Sequence, residues 1–426
     1  MDRRRHREVD RNTVTEQPTF MIRPSLALLG LVVAIGAFAA PAPQGAFATG
    51  RCRNLFAEFL GRTDAEIDAK IGAAWQQLFY GRDDDQRVYY PVDGDMAYVA
   101  DIQHEDVRTE GMSYGMMIAV QLNRQAEFNR IWKWARTHMY HADGPLAGYF
   151  AWHCRYDGTQ IHPGPASDGE EWFVMALFFA AHRWGGGEGI FNYEQQAQAL
   201  LRTMLHQGDR GDGTVTSMFD RQARQVVFVP HPPANRFTDP SYHLPAFYEL
   251  WARWAADPAD RAFLAQLPPA SRELFRRAAD PRTGLMPDYS NFDGTPHAVR
   301  GHGDFRFDAY RTLANVGLDH AWFAADPWEV VQSNRVLAFL AGQGPRLPNQ
   351  YALDGRPLSD LYSPGLPAMA AVAALASDSA DGRLFVRRLW EMDIPSGRER
   401  YYDGLLYLLA LLEISGRFQI HGPPAS

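Results

Sequence analysis

Apolar residues recur along the chain at intervals of three and four positions, and loops rich in Gly, Pro and Asp separate these stretches. This spacing is the helical period, whereas half-buried strands show a period of two. Several stretches are apolar nearly all round, so we expect those helices to be buried on more than one side. The pattern predicts helices that begin near Glu170, Tyr193, Leu244, Phe305, Pro327, Pro367 and Tyr401.

Strand patterns are rare by comparison. The clearest candidate is the segment RQVVFVP around Val226, which is short and isolated. From about Leu55 to Phe418, no Ser/Gly tract, charge block or low-complexity segment interrupts the helical pattern. Roughly a dozen helices in one uninterrupted domain predict an all-α fold, a closed toroid of helical hairpins. In such a ring the helices form the scaffold, and the loops at one end carry the function.

The N-terminal segment has the pattern of an export signal. Arg23 precedes an apolar run from Leu26 to Ala40, and the small-residue sequence Ala46-Phe47-Ala48 follows. This order predicts cleavage after Ala48, so that residues 1–48 form a leader and residues 49–426 a single domain. The apolar run is shorter than the roughly 18 residues of a membrane span. We therefore expect an exported protein, periplasmic or secreted, without stable membrane association after cleavage.

Composition narrows the range of partners. The net charge of −8 offers no basic surface for nucleic acid, and it does not favour a polyanionic substrate. The 11 Trp, 18 Tyr and 25 Phe exceed what a core usually requires, and sugar rings bind well to aromatic faces.

The two cysteines, Cys52 and Cys154, either pair in an oxidising compartment or remain inert thiols. His153 and His162 flank Cys154 without a fourth ligand, so we predict no metal site.

Three acidic residues lie at the entrances of predicted elements, next to aromatic residues, Gly or Arg. They are Glu110 in VRTEGMSYG, Asp168 in PGPASDGEEW and Asp308 in GDFRFDAYR. Each also has an ordinary structural interpretation. An acid in a first turn complements the helix dipole, Asp168 is a good helix cap, and Asp308 can pair with Arg311 three residues later.

Aromatic residues in loops accompany these acids. Trp152 in GYFAWHC and Tyr242 in DPSYHLPAFY are the clearest examples. Hydrolysis of a glycosidic bond needs one protonated acid, one carboxylate that activates water or attacks, and rings that hold the sugars. The residues alone leave two other classes open. One is a lyase that uses Tyr242 and His243, and the other is a non-catalytic, exported sugar-binding protein.

Seven segments, in order along nearly the whole mature chain, resemble glycoside hydrolase family 8, and within it the reducing-end xylose-releasing exo-oligoxylanases. They are SYGMMIAVQLNRQAEFNRIWKWARTHM, GYFAWHC, ASDGEEWFVMAL, DPSYHLPAFYELWA, PDYSNFDGTP, FRFDAYRTLANVGLDHAWF and YYDGLLYLLALLEISG. The resemblance implies an (α/α)6 barrel and an inverting, cofactor-free cleavage of β-1,4-xylo-oligosaccharides that releases xylose from the reducing end. The alternative is an endo-acting β-1,4-xylanase or β-1,4-glucanase of the same family.

The resemblance also implies a role for each candidate residue. Glu110 would be the general acid, Asp308 the general base, Asp168 the holder of the sugar at the cleavage subsite, Trp152 a stacking platform, Tyr242 a guide for the attacking water, and Arg311 a support for the region near Asp308. The Met-rich helix mouth around Glu110 is expected to raise its pKa by burial. An inverting pair of carboxyl groups should lie roughly 6.5–9.5 Å apart.

One segment departs from the family pattern. Where the exo-oligoxylanases have a Leu-His-Pro loop that closes the cleft beyond the reducing-end sugar, this chain has Leu361, Tyr362 and Ser363 in SDLYSPGLP. Two consequences are open. Either Tyr362 replaces the histidine as the residue that binds the terminal hydroxyl, or the wall is looser and longer products leave.

Overall fold

The computed structural model describes residues 44–211 and 213–423. Most of the leader predicted for residues 1–48 therefore lies outside the described residues. The α-helices are α1 Ala46–Thr49, α2 Leu55–Leu60, α3 Asp64–Tyr80, α4 Thr109–Gln121, α5 Gln125–Trp134, α6 Ser167–Trp184, α7 Tyr193–His206, α8 Pro245–Trp254, α9 Pro258–Leu264, α10 Leu267–Ala278, α11 Arg311–Trp322, α12 Trp328–Gly342, α13 Gly365–Ala373, α14 Ala380–Glu391 and α15 Arg400–Ile414.

Six of these helices form a closed inner ring. In ring order they are α4, α6, α8, α11, α13 and α15, and α15 packs against α4 to close the ring. An outer layer of α3, α5, α7, α10, α12 and α14 packs against them, with α9 beside α8. This arrangement is an (α/α)6 barrel, which confirms the predicted fold class.

The inner helices are the stretches that the sequence pattern marks as apolar on nearly all sides. All of α13 is buried, as is α6 from Ser167 to Ala180. Glycine allows the closest approach between α4 and α15, because a Cβ atom on Gly111 would lie 2.3 Å from the ring of Tyr401. Gly169 plays the same part between α6 and α4, where a Cβ would lie 2.4 Å from Thr109. Both contacts lie next to acidic residues of the candidate site.

The N-terminal ends of the inner helices meet at one end of the barrel. An outer helix precedes each inner helix in the chain, so consecutive inner helices run in the same direction. Residues at or just before each of these N-termini line one common cavity: Glu110 of α4, Asp168 of α6, Tyr242 before α8, Asp308 before α11, Ser363 before α13 and Tyr401 of α15.

A small antiparallel sheet covers part of this end. Its strands are β1 Tyr89–Val92, β2 Met96–Asp101, β3 Asp106–Arg108, β4 His153–Cys154 and β5 Gln160–His162, paired in that order. The sequence pattern does not predict this sheet. β3 runs directly into α4, so the sheet determines where Glu110 enters the barrel. The predicted strand at Val226 is the short β7 Gln225–Val226, which pairs with β6 Phe219–Asp220.

The helix predicted to start at Phe305 starts later than the spacing indicates. Phe305 is extended and exchanges two backbone hydrogen bonds with Tyr351. A 3-10 helix follows from Phe307 to Tyr310, and α11 begins only at Arg311. The backbone of Phe307 has φ +42°, which interrupts the helical period. Asp308 therefore lies on a tight turn ahead of the helix, where its side chain lines the cavity.

The segment around the predicted cleavage point packs on the barrel. Ala46 is buried, and the ring of Phe47 stacks on Phe323 at 5.2 Å. Cleavage after Ala48 would remove these contacts, so the exact position stays a prediction. Within the described part of the chain, no helix combines the length and hydropathy that a membrane span requires.

Candidate active site

The inner-helix N-termini surround a cavity of about 790 Å³. Acidic and aromatic side chains form much of its wall, among them the candidates Glu110, Trp152, Asp168, Tyr242 and Asp308. Tyr362 lines it as well, and Arg311 lies directly behind the acids. The barrel therefore brings together the seven candidate site residues.

Arg311 connects the three acids. Its Nη1 donates to Asp168 Oδ2 at 3.0 Å and to Glu110 Oε2 at 3.3 Å, and its Nη2 lies 3.2 Å from Asp308 Oδ2. The terminal nitrogens belong to one rigid planar group, so these contacts keep the oxygens of Glu110 and Asp308 within about 9 Å of each other. Such a limit is compatible with the roughly 6.5–9.5 Å separation of an inverting pair.

Glu110 has the surroundings of a proton donor. It is the second residue of α4, its side chain is only 16% exposed, and Tyr401 donates its hydroxyl hydrogen to Oε1 at 3.0 Å. Burial raises the pKa of Glu110 to about 8, with Asp308 and Asp168 adding to the rise and Arg311 opposing it. The carboxyl group is therefore protonated at neutral pH, as a general acid must be.

Asp308 has different surroundings. Its side chain is 30% exposed, and it forms an ion pair with Arg311. A carboxylate that is paired with a cation and open to the cavity can accept a proton from water. The two acids thus differ in solvation, and differences of this kind separate an acid from a base in two-carboxylate sites.

Asp168 and Tyr242 lie beside this pair. Asp168 is buried at the start of α6, where Oδ1 accepts the N–H of Gly169 at 2.9 Å. Burial raises its pKa, while Arg311 opposes the rise. Tyr242 is buried with its ring 5.4 Å from the Arg311 guanidinium, and burial together with the charges of Asp168 and Asp308 raises its pKa. Its hydroxyl group therefore stays protonated close to the acids.

Trp152 lies at the rim of the cavity. Its backbone carbonyl accepts the N–H of Thr109 at 3.0 Å, which fixes the indole beside the start of α4. The Arg108 guanidinium lies 5.7 Å from the indole ring, and His162 stacks parallel to it at 5.8 Å. His153 contacts Asp106 at 2.7 Å, which is an ordinary polar role.

The lyase alternative does not fit this site. His243 is completely buried and hydrogen bonded on both ring nitrogens, to Thr238 and Ser271 at 2.9 Å each. Burial also lowers its pKa to about 3. A side chain so enclosed cannot reach a sugar.

Elsewhere in the chain, Cys52 and Cys154 are free thiols, so the structure contains no disulfide between them.

Sequence reasoning missed several residues of the site. Asp239 and Asp288 lie beside Asp308, with one oxygen of each of the three within 4.8 Å of the others. Burial raises the pKa of both Asp239 and Asp288 well above the usual range; the charges of Asp288 and Asp308 add to the rise at Asp239, and the charge of Asp308 adds to it at Asp288. Tyr401 and Tyr402, at the start of α15, contribute hydroxyl groups. The two tyrosines could have been identified from their position at the N-terminus of an inner helix, where the other candidates also lie.

The segment before α13 forms one wall of the cavity. Leu361 is 63% exposed, and the ring of Tyr362 lies 5.4 Å from the Arg346 guanidinium. Ser363 donates its hydroxyl hydrogen to Asp403 Oδ1 at 2.5 Å, and the same oxygen accepts the N–H of Gly365 at 2.9 Å. Asp403 therefore attaches this wall to α15.

Comparison with known proteins agrees with this geometry. A family model described as glycosyl hydrolases family 8 matches residues 87–415. The chain is 47% identical over 383 residues to Rex8A, a reducing-end xylose-releasing exo-oligoxylanase of Paenibacillus barcinonensis, covering 89% of this chain and 99% of the relative. A reducing end xylose-releasing exo-oligoxylanase of Halalkalibacterium halodurans is 46% identical over 384 residues, with 89% and 97% covered.

A solved structure is similar over the same span. It is a family 8 xylanase of Teredinibacter turnerae, a catalytic mutant in complex with xylohexaose. The TM-score is 0.85 at 47% sequence identity, with 89% of this chain and all of that chain covered.

Proposed function

Because this chain belongs to the glycosyl hydrolases of family 8, we propose that it is an inverting glycosidase that cleaves β-1,4-xylo-oligosaccharides and releases xylose from the reducing end. The observation that carries the proposal is the pair of unlike carboxyl groups, Glu110 and Asp308, on the two terminal nitrogens of Arg311. The names of the two exo-oligoxylanase relatives support the substrate and the direction of cleavage.

In the reaction, Glu110 gives its proton to the oxygen of the glycosidic bond as the bond to the anomeric carbon breaks. Asp308 accepts a proton from a water molecule that attacks the same carbon from the opposite face. The new hydroxyl group therefore has the inverted configuration. Afterwards Glu110 regains a proton from solvent and Asp308 loses one, so no cofactor is required.

The neighbouring side chains hold the sugar and the water. The Asp168 carboxylate, fixed by Arg311, accepts hydroxyl hydrogens of the sugar at the cleavage subsite and favours a distorted ring. Tyr242 orients the attacking water, and Trp152 stacks on a sugar at the rim. Arg311 keeps these carboxyl groups in a fixed arrangement, and the carboxylates of Asp168 and Asp308 balance its positive charge.

The wall formed by Leu361, Tyr362 and Ser363 limits the cleft on the reducing-end side. We assign to Tyr362 the binding of the terminal hydroxyl group, with Arg346 packed on its ring. The bond between Ser363 and Asp403 keeps the wall in place. A xylose unit then fits between the wall and the acids, and its release leaves the shortened chain behind.

An endo-acting xylanase is the second candidate. The high exposure of Leu361 and the similarity to the xylanase of Teredinibacter turnerae favour it. A ladder of xylo-oligosaccharides labelled at the reducing end distinguishes the two. Labelled xylose as the first and dominant product supports release from the reducing end. Labelled products of two or more units from the start would contradict it, and a complete lack of cleavage would refute the glycosidase itself.

We also propose that the protein is exported and acts on soluble carbohydrate, with neither nucleic acid nor membrane as a partner. The leader pattern and the net charge of −8 support this. N-terminal sequencing of protein from the periplasm or medium tests both export and cleavage. An intact leader on protein recovered only from the cytoplasm would contradict the proposal.

A further inference from the structure

The residue before the candidate base has an unusual backbone conformation. Phe307 has φ +42°, in the left-handed region, where a side chain with a Cβ atom crowds the following carbonyl oxygen. The chain arrives extended, with Arg306 at φ −161°, and leaves in the 3-10 helix Phe307–Tyr310. Phe307 therefore makes the turn that determines where Asp308 points. Strained residues of this kind persist only when surrounding contacts hold them.

Two side chains from elsewhere in the chain bind the peptide groups on both sides of Asp308. Tyr402 of α15 donates its hydroxyl hydrogen to the carbonyl oxygen of Phe307 at 3.1 Å. Asp288 Oδ1 accepts the N–H of Ala309 at 3.2 Å. The first group belongs to the peptide bond before Asp308 and the second to the peptide bond after it. The peptide groups on both sides of Asp308 are therefore hydrogen bonded to residues outside the turn.

Asp288 is itself firmly anchored. It is buried, and its backbone N–H donates to the carbonyl oxygen of Asp304 at 2.9 Å. Its second carboxyl oxygen lies 2.5 Å from Nδ1 of His302, whose ring stacks on Tyr289 at 4.2 Å. These contacts fix the carboxyl group of Asp288 and leave one oxygen for the turn.

We propose that Asp288 and Tyr402 are positioning residues for Asp308. By binding the two flanking peptide groups they stabilise the left-handed conformation of Phe307, which keeps the Asp308 carboxylate beside the attacking water. The inference rests on the proposed function, because it requires Asp308 to be the general base. It predicts that kcat depends on the hydrogen bonds to the turn and that KM depends on them little.

Substitutions at Asp288 separate the hydrogen bond from the charge. Asp288→Asn keeps an oxygen that accepts the N–H of Ala309, so kcat should stay within about fivefold of the wild-type value. Asp288→Ala removes the acceptor, and kcat should fall by roughly 10²-fold because a small misplacement of a reacting group has effects of that size. Equal losses in both variants would show that the charge matters and would overturn the positioning role of Asp288.

Tyr402→Phe removes a single oxygen atom and tests the other contact. We expect kcat to fall at least about tenfold, with KM within about threefold. The strain itself is tested by combining this variant with Phe307→Gly or Phe307→Ala. Both substitutions remove the phenyl ring, but only glycine adopts a left-handed φ without strain. The alanine variant is therefore the matched control for loss of the ring.

The expected result is a difference between the two backgrounds. With Tyr402 present, the glycine and alanine variants at position 307 should have kcat values within about threefold of each other, because the turn is still held. With Phe at position 402, the glycine variant should be at least about tenfold faster than the alanine variant. The same ratio in both backgrounds would overturn the proposal. The variants at positions 307 and 402 test the proposal even if Asp288→Ala does not fold.

The outcome is distinguishable from a failure of the proposed function. All kcat values are measured on the xylo-oligosaccharide that the wild-type protein cleaves fastest. A wild-type protein that cleaves none of them refutes the proposed function, and the inference with it. A cleaving wild-type protein with equal ratios in both backgrounds refutes the positioning role alone.

Discussion

Replacing Glu110 with glutamine should strongly lower kcat and, at neutral pH, stabilise the fold. Glutamine has the shape of a protonated glutamate and can still hydrogen bond to Tyr401, but it has no acidic proton for the leaving oxygen. We expect kcat to fall by about 10²- to 10⁴-fold, the usual contribution of a general acid, with little change in substrate affinity. Loss of turnover with retained binding also separates a hydrolase from a sugar-binding protein.

The effect on stability follows from the raised pKa. The pKa of Glu110 rises from 4.5 to about 8, because burial penalises the charged form. Because the pKa is higher in the folded chain, the folded chain keeps the Glu110 proton between these two pKa values, whereas the unfolded chain loses it. The free energy of unfolding therefore falls as pH rises through this window. One pH unit corresponds to about 1.4 kcal/mol. The side chain at position 110 does not titrate in the Glu110→Gln variant. The free energy of unfolding of the variant, relative to that of the wild type, should therefore rise by about 3 kcal/mol between pH 5 and pH 7.5.

Urea unfolding at the two pH values, at constant ionic strength, measures this change. Glu188→Gln is the matched control, because Glu188 is exposed in a loop and its replacement should change stability equally at both values. A difference between Glu110→Gln and wild type that is the same at pH 5 and pH 7.5 would show that Glu110 holds no proton in the folded chain. The assignment of the general acid would then be wrong.

Three further predictions concern the other acids and the wall. Asp308→Asn should lower kcat by about 10²- to 10⁴-fold with KM nearly unchanged, and an active variant in a steady-state assay would contradict its role as base. Asp168→Asn removes a charge that raises the pKa of Glu110, so the alkaline limb of the kcat/KM profile should move down from about 8 by roughly one to two units. A limb that stays or moves up would contradict this coupling. Ser363→Ala removes the hydrogen bond to Asp403, so a larger share of longer labelled products is expected, and an unchanged product pattern argues against a wall held by that bond.

The barrel could be predicted from the sequence because its inner helices leave a strong local signal. The apolar stretch beginning near Glu170 is α6, and the stretch near Tyr401 is α15. The five-stranded sheet left almost no signal, since its strands are two to six residues long and β2 is buried at five consecutive positions without alternation. The turn at Asp308 was mistaken for helix because Phe307 has a conformation that side-chain spacing does not reveal.

The candidate site was predictable only in part, for a related reason. Glu110, Asp168 and Asp308 stand in motifs that can be read locally. Asp288 contacts the turn of Asp308 through a loop connection, and Tyr401 reaches Glu110 from 291 positions away because Gly111 lacks a side chain. Contacts of this kind depend on the closed ring. Once the ring is predicted, however, the residues at each inner-helix N-terminus become candidates.

The central claim is that Glu110 and Asp308 act from opposite faces of the sugar, with room for one water between them. Proton NMR during cleavage of a xylo-oligosaccharide tests this most directly, because it shows which anomer forms first at the new reducing end. The account predicts that the shortened chain appears as the α-anomer, and that the β-anomer grows in later by mutarotation. A β-anomer that forms first would mean retention of configuration, and would contradict the proposed roles of the two acids.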